Sequence, residues 1–258
     1  MAVVLAPIVL AAAWAGGRAM LALGLVAVLI SLHELYTMAR GLRPVPLTGY
    51  AGGAGSVVVS HTSGLDWAVA MLLGSVVATF LIAAAVAARE SALVTVAITT
   101  FGVVWIGFGV AFLVLLRDVP GPHHFGFNLL LATLLATWAS DIFAYFGGRL
   151  LGRRRLAPAI SPNKTVEGLL IGLAAGTFTG WITLYDQGLS SLDAFWVGLA
   201  IAVAGPLGDL FESFVKRDLG VKDSGTLLPG HGGLLDRIDA LLFAGAAAYF
   251  VVLAMGRA

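Results

Sequence analysis

The sequence predicts an all-α protein, a polytopic transmembrane helix bundle, on three observations. Hydrophobic residues make up 59% of the 258 positions and charged residues 11%, against roughly 25% charged in an average soluble domain. Its apolar runs are long, and each helical crossing of a bilayer takes about 20 residues. They are also continuous, without the period-2 alternation of a barrel strand, so helices must satisfy the backbone in lipid.

Apolar stretches bounded by charges or Gly/Pro breaks place helices near 3–15, 19–39, 48–60, 67–88, 91–116, 128–149, 166–185, 193–217 and 237–256. That is about nine, of which the first and third are short. The first imitates a signal peptide but has no basic n-region, and a second apolar run follows at once, so it is expected to stay as a helix. The third contains Gly49, Gly52, Gly53 and Gly55 and reads equally as spanning, interfacial or re-entrant.

With the N-terminus cytoplasmic, twelve of the fifteen basic residues fall inside and only Arg18, Arg117 and Arg257 outside, as the positive-inside bias requires. Residues 1–125 are expected to form an N-terminal membrane scaffold that faces lipid and offers dimer contacts. Residues 126–258 would then form a C-terminal part with cytoplasmic loops at 150–165 and 216–236. No repeat or low-complexity linker argues for a separately folding soluble domain.

A net charge of +1, with basic residues confined to short clusters between apolar runs, gives no support to nucleic-acid binding. The absence of cysteine removes disulfides, zinc–cysteine sites and thiol nucleophiles together. Any metal must be held by oxygen or histidine.

The fourteen carboxylates carry the chemical information, because each one at membrane depth costs a few kcal/mol unless it faces a polar interior or a partner. Asp141 lies in the sixth run, Asp209 and Glu212 in the eighth, and Asp236 and Asp239 open the last. The first half is read as holding nothing comparable. Asp209 and Glu212 are three apart and share a helix face that Lys216 continues. Asp236 and Asp239 repeat the spacing. Oxygen-only carboxylate sets suit magnesium, which takes one or two protein carboxylates together with substrate phosphates. The alternative is that Asp209 and Glu212 pair with Lys216 or Arg217 to hold helices together.

Residues 205–239, GPLGDLFESFVKRDLGVKDSGTLLPGHGGLLDRID, form the only long charged segment. Lys216, Arg217, Lys222 and Arg237 can neutralise phosphates, and the glycines at 225, 230, 232 and 233 let backbone approach a ligand. His231 reads either as a phosphate contact or as a solvated loop residue. A second element, Ser161-Pro162-Asn163-Lys164-Thr165-Val166-Glu167-Gly168, precedes a helix. Ser161 or Thr165 can cap that helix, Glu167 suits its first turn, and Lys164 beside free backbone amides makes an anion site. Simple capping is the alternative.

Together these residues resemble the phosphatidate cytidylyltransferase (CDP-diacylglycerol synthase) family. The family signature appears as Ser213, Lys216-Arg217, Lys222-Asp223, Pro229-Gly230-His231-Gly232-Gly233 and Asp236-Arg237-Ile238-Asp239, with every spacing kept. SPNKTVEG and Ser140-Asp141 with Phe143, Ala144 and Tyr145 also look like family elements. The resemblance is strong over about 130–250 and rests on hydropathy alone before that.

The resemblance implies an enzyme that transfers CMP from CTP to phosphatidic acid, releasing pyrophosphate, in phospholipid biosynthesis. It implies Asp209, Asp236 and Asp239 as magnesium ligands with Asp141 close by. It further implies Lys164, Lys216 and Arg217 in the catalytic machinery, and Ser161, Asn163, Lys222, Asp223, His231, Arg237 and Ser213 in substrate binding. A homodimer, a second, monovalent ion and a bacterial inner membrane with the site at its cytoplasmic face complete the expectation.

The rivals are a cytidylyltransferase for another lipid phosphate and a CTP-dependent lipid alcohol kinase. CDP-alcohol phosphotransferases are disfavoured because their Asp-Gly-x-x-Ala-Arg opening is absent. An ion-coupled transporter is disfavoured because charge is confined to one half.

Overall fold

The computed structural model describes residues 2–85, 92–225 and 232–257. Helices α1 (Ala2–Ala15), α2 (Gly17–Met38), α3 (Pro46–Ser63) and α4 (Leu65–Ala85) come first. They are followed by α5 (Ala92–Asp118), α6 (Phe125–Leu151), α7 (Val166–Leu184), α8 (Ser191–Asp218) and α9 (Leu235–Ala254). Between α6 and α7 lies an antiparallel strand pair, β1 (Arg155–Ala157) and β2 (Ser161–Thr165), where the sequence suggested only loop. Among the described residues, seven helices are long and apolar enough to cross a membrane: α2 and α4 to α9. The all-α transmembrane reading therefore holds, and α1 and α3 are the two helices outside that set. The chain is an integral membrane protein.

By contacts the chain divides into two units, Met1–Leu115 with Leu219–Arg237, and Leu116–Asp218 with Ile238–Ala258. Residues 219–237 thus group with the N-terminal helices.

In the first unit α3 is a helix with a buried face of Thr48, Gly49, Gly52, Gly53, Ser56, Val57 and Ser60. Pro46 starts it, where a missing N–H costs nothing, and Gly64 ends it with φ 89. The glycines that made this run ambiguous let neighbouring backbones approach, the usual basis of helix packing in lipid. A Cβ on Gly107 would sit 2.9 Å from the Gly53 Cα. Gly107 ends a π-helical turn, Val103–Gly107, inside α5. Tyr36 donates to the Thr99 carbonyl at 2.8 Å, and Thr48 and Thr79 hydroxyls meet at 2.7 Å. Ser56, Thr79 and Thr99 each donate to the carbonyl one turn back, at 2.7 Å. Polar side chains are thereby satisfied within their own helices.

In the second unit α7 packs against α6 and α8 through glycines at every fourth position, Gly168, Gly172, Gly176 and Gly180. Added Cβ atoms there would meet the Ala144 carbonyl at 2.6 Å, the Ser140 carbonyl at 2.7 Å, the Ala136 carbonyl at 3.0 Å and the Gly198 Cα at 2.7 Å. The four-residue spacing is visible in the sequence. On α8, Gly208 does the same for α9, since a Cβ would lie 2.6 Å from the Asp239 carbonyl. Pro206 removes a helical donor one turn before Asp209 and Leu210.

Candidate active site

The second unit gathers acids and bases from α6, β2, α8 and α9. Arg155 pairs with Thr165, and Ala157 with Ser161, across the hairpin. Where β2 meets α7, Thr165 caps the helix by accepting from the Gly168 amide at 3.1 Å. Of the two candidate caps, Thr165 is the one used. Glu167, in the first turn of α7, accepts from the amides of Arg153 and Arg154 at 2.9 and 3.2 Å. Lys164 is therefore held one residue before the cap by a hairpin tied at both ends.

Lys164 Nζ lies 2.6 Å from Asp209 Oδ2 on α8. One turn on, the Ser213 hydroxyl approaches Asp209 Oδ1 at 3.5 Å. Asp209 stands within electrostatic reach of Asp141 on α6 and of Asp239 on α9, and Asp141 also feels Lys164. Glu212, 1% exposed, accepts from Lys216 Nζ at 3.1 Å and shares a hydrogen bond with the Asp239 side chain. On this helix face Glu212 pairs internally with Lys216, as the pairing alternative has it, while Asp209 turns to the hairpin lysine instead of Lys216 or Arg217. Arg217 donates from Nε to the Ile160 carbonyl at 3.4 Å and is otherwise exposed beside the hairpin. On β2, Ser161 is half-buried and Asn163 exposed.

Two like charges, Asp141 and Asp239, around Asp209, offset by Lys164 and by Lys216, make a place where further positive charge or a phosphate-bound cation is stabilised. Among the described residues no group of three His, Cys, Asp or Glu is arranged as a preformed metal site. The donor chemistry still fits a small hard cation, because Asp209 and Asp239 offer oxygen and magnesium takes its remaining positions from phosphates and water.

The other motif residues belong to the first unit. Lys222 and Asp223 are exposed, Ser224 is buried and Arg237 is exposed. Asp236 Oδ2 accepts from the Ser224 amide at 3.0 Å, the Ser224 hydroxyl at 2.9 Å and the Gly233 amide at 2.8 Å. In this structure Asp236 organises its own loop, with Gly232 at φ 78 supplying the turn. His231, Pro229 and Gly230 lie outside the described residues.

One residue contradicts the expectation that the first half holds no comparable carboxylate. Glu34, on α2, is 5% exposed. Its signal was a lone acid inside a spanning run, which by itself calls for a partner. It borders a cavity of about 560 Å³ with Leu29, Ile30, His33, Thr37, Tyr50, Ser224 and Gly225. His33 Nδ1 and the Tyr50 hydroxyl meet there at 3.0 Å.

Comparison with known proteins gives these motifs a family. The model of the Cytidylyltransferase family matches residues 1–255. A phosphatidate cytidylyltransferase of Brucella abortus (strain 2308) is 43% identical over 152 residues, 57% of this chain and 54% of the relative. The aligned stretch thus spans about half the length of that relative, 54%. Enzymes of the same name from Staphylococcus haemolyticus (strain JCSC1435) and Staphylococcus aureus (strain COL) are each 32% identical, over 234 and 236 residues. Those alignments cover 88% of this chain and 87% of each relative. With residues 1–255 inside the matched span, the chain belongs to the cytidylyltransferase family.

Proposed function

We propose that this protein transfers CMP from CTP to phosphatidic acid, giving CDP-diacylglycerol and pyrophosphate. The single observation that carries the reading is the Lys164–Asp209 pair, 2.6 Å apart, with Asp141 and Asp239 around it. Relatives named phosphatidate cytidylyltransferase support it.

An oxygen of the lipid phosphate attacks the α-phosphorus of CTP, the bond to the β-phosphate oxygen breaks, and pyrophosphate leaves. Such a step needs positioning and charge neutralisation more than covalent help. The attacking phosphate monoester is already ionised near neutral pH, so no general base is required. Lys164 and Lys216 neutralise phosphate oxygens, and Arg217 adds charge beside the hairpin. Ser161, Asn163 and Ser213 offer hydrogen bonds next to them. By the resemblance, Lys222, Asp223, Arg237 and His231 also serve substrate, Arg237 from the first turn of α9. Magnesium would be held by Asp209 and Asp239 with Asp141 beside them, and when bound it offsets charge on the phosphate oxygens.

On this reading the lipid tails stay in the bilayer while CTP arrives from the cytoplasm, at a bacterial inner membrane. A homodimer and a second, monovalent ion accompany the proposal by resemblance. The test is incubation of membranes holding the protein with labelled CTP and a panel of lipid phosphates side by side. Labelled CDP-diacylglycerol and pyrophosphate formed with phosphatidic acid support the proposal. Product only with another lipid phosphate or a lipid alcohol, or none at all, overturns it.

A further inference from the structure

Two carboxylates, Glu34 buried and Asp236 half-buried, share the Ser224 hydroxyl at the start of α9, and only Asp236 belongs to the signature. Glu34 takes the Leu234 amide on Oε1 and the Leu235 amide on Oε2, each at 2.8 Å, with the Ser224 hydroxyl at 3.2 Å from Oε2. The first amides of a helix have no intrahelical acceptor, and its N-terminal end favours negative charge. Glu34 supplies both acceptor and charge from a helix far away in sequence, across separations of 190, 200 and 201 residues.

The Ser224 hydroxyl lies between Glu34 Oε2 at 3.2 Å and Asp236 Oδ2 at 2.9 Å. A hydroxyl has one proton to donate, so this side chain links the two acids rather than satisfying both. A Cβ on Gly225 would fall 2.9 Å from Glu34 Oε1, so the chain here fits closely around the carboxylate. A charge 5% exposed in a spanning helix is costly, and removing one partner of such a network leaves the others unsatisfied. What Glu34 holds is the stretch that carries Lys222, Asp223 and Asp236.

We propose that Glu34 is a positioning residue: it fixes Ser224 and the first turn of α9, and through Ser224 the placement of Lys222 for the CTP phosphates. This rests on the cytidylyl-transfer reading. Loss of the clamp loosens a binding loop, so the effect belongs in the KM for CTP, whereas a smaller folded fraction lowers Vmax and leaves KM alone.

The experiment compares the wild type with Glu34→Gln in lipid nanodiscs, by steady-state kinetics and by hydrogen exchange without substrate. In Glu34→Gln the KM for CTP is expected to rise about tenfold or more, and peptides containing Leu234 and Leu235 to exchange about tenfold faster. A KM within about twofold of wild type, with or without a fall in Vmax, overturns the proposal. Should Glu34→Gln fail to fold, Ser224→Ala keeps both amide contacts of Glu34 and removes the link; an unchanged KM for CTP in that variant overturns it equally. A wild type that makes no product sinks the transfer reading instead, and the exchange rates then still decide whether the clamp exists.

Discussion

Lys164 Nζ, delivered by a strand, stands 2.6 Å from Asp209 Oδ2, delivered by a helix long and apolar enough to cross a membrane. Neither side chain is fully buried, at 28% and 36% exposure. Both side chains are partly exposed while the lysine ammonium itself is shielded; on the proposed function a phosphate would take the lysine and a cation the aspartate.

Replacing Lys164 with Met keeps the stem and deletes the charge. Turnover is expected to fall by about 10²-fold or more, the scale of losing one preorganised charge from a phosphoryl-transfer site. Thermal unfolding in detergent should stay close to wild type, because a partly exposed pair adds little stability. Wild-type turnover in Lys164→Met would remove the residue from the mechanism.

Asp209→Asn and Asp239→Asn are each expected to lower turnover by about 10²-fold and to raise the magnesium concentration needed for half-maximal rate. Asp239→Asn should leave stability at or above wild type, since it removes the charge of a residue 7% exposed beside Asp209 and its amide can still donate to Glu212. A magnesium titration of all three proteins checks this, and unshifted curves would count against carboxylate binding of the ion.

Chelation provides the complementary measurement. Addition of EDTA is expected to stop CDP-diacylglycerol formation and excess magnesium to restore it in full. Activity that persists under chelation would leave the acids without a metal role.

Asp236→Asn is expected to abolish turnover while the protein remains folded in membranes, as size-exclusion profiles would report. The remaining amide oxygen can take the place of Oδ2, so the variant removes the charge while the Ser224 and Gly233 amides keep an acceptor. Normal activity in this variant would show that the loop does not depend on that carboxylate.

Gly208→Ala tests the packing that sets Asp239 beside Glu212. The new Cβ would lie 2.6 Å from the Asp239 carbonyl and 3.1 Å from the Phe243 Cβ. Overpacking of this kind costs about 1–3 kcal/mol, so the unfolding midpoint should drop and turnover with it. An unchanged midpoint would mean that α9 yields without cost.

The sequence by itself determined the bundle and the motif. Apolar runs of spanning length leave a chain in lipid one local solution, the helix, so seven spans and two shorter helices could be read from hydropathy. Spacing three and four apart on one helix likewise put Lys216 within reach of Glu212, one of the alternatives for that face. The tertiary structure alone decided what meets across helices. Glu34 and Leu235 are 201 residues apart, and no periodicity encodes their 2.8 Å contact. Lys164 and Asp209 come together only because a hairpin closes before α7 and the glycines of α7 let α6 and α8 pack close to it. Local rules act over one or two turns, whereas a site at membrane depth is assembled by whichever distant polar groups satisfy one another.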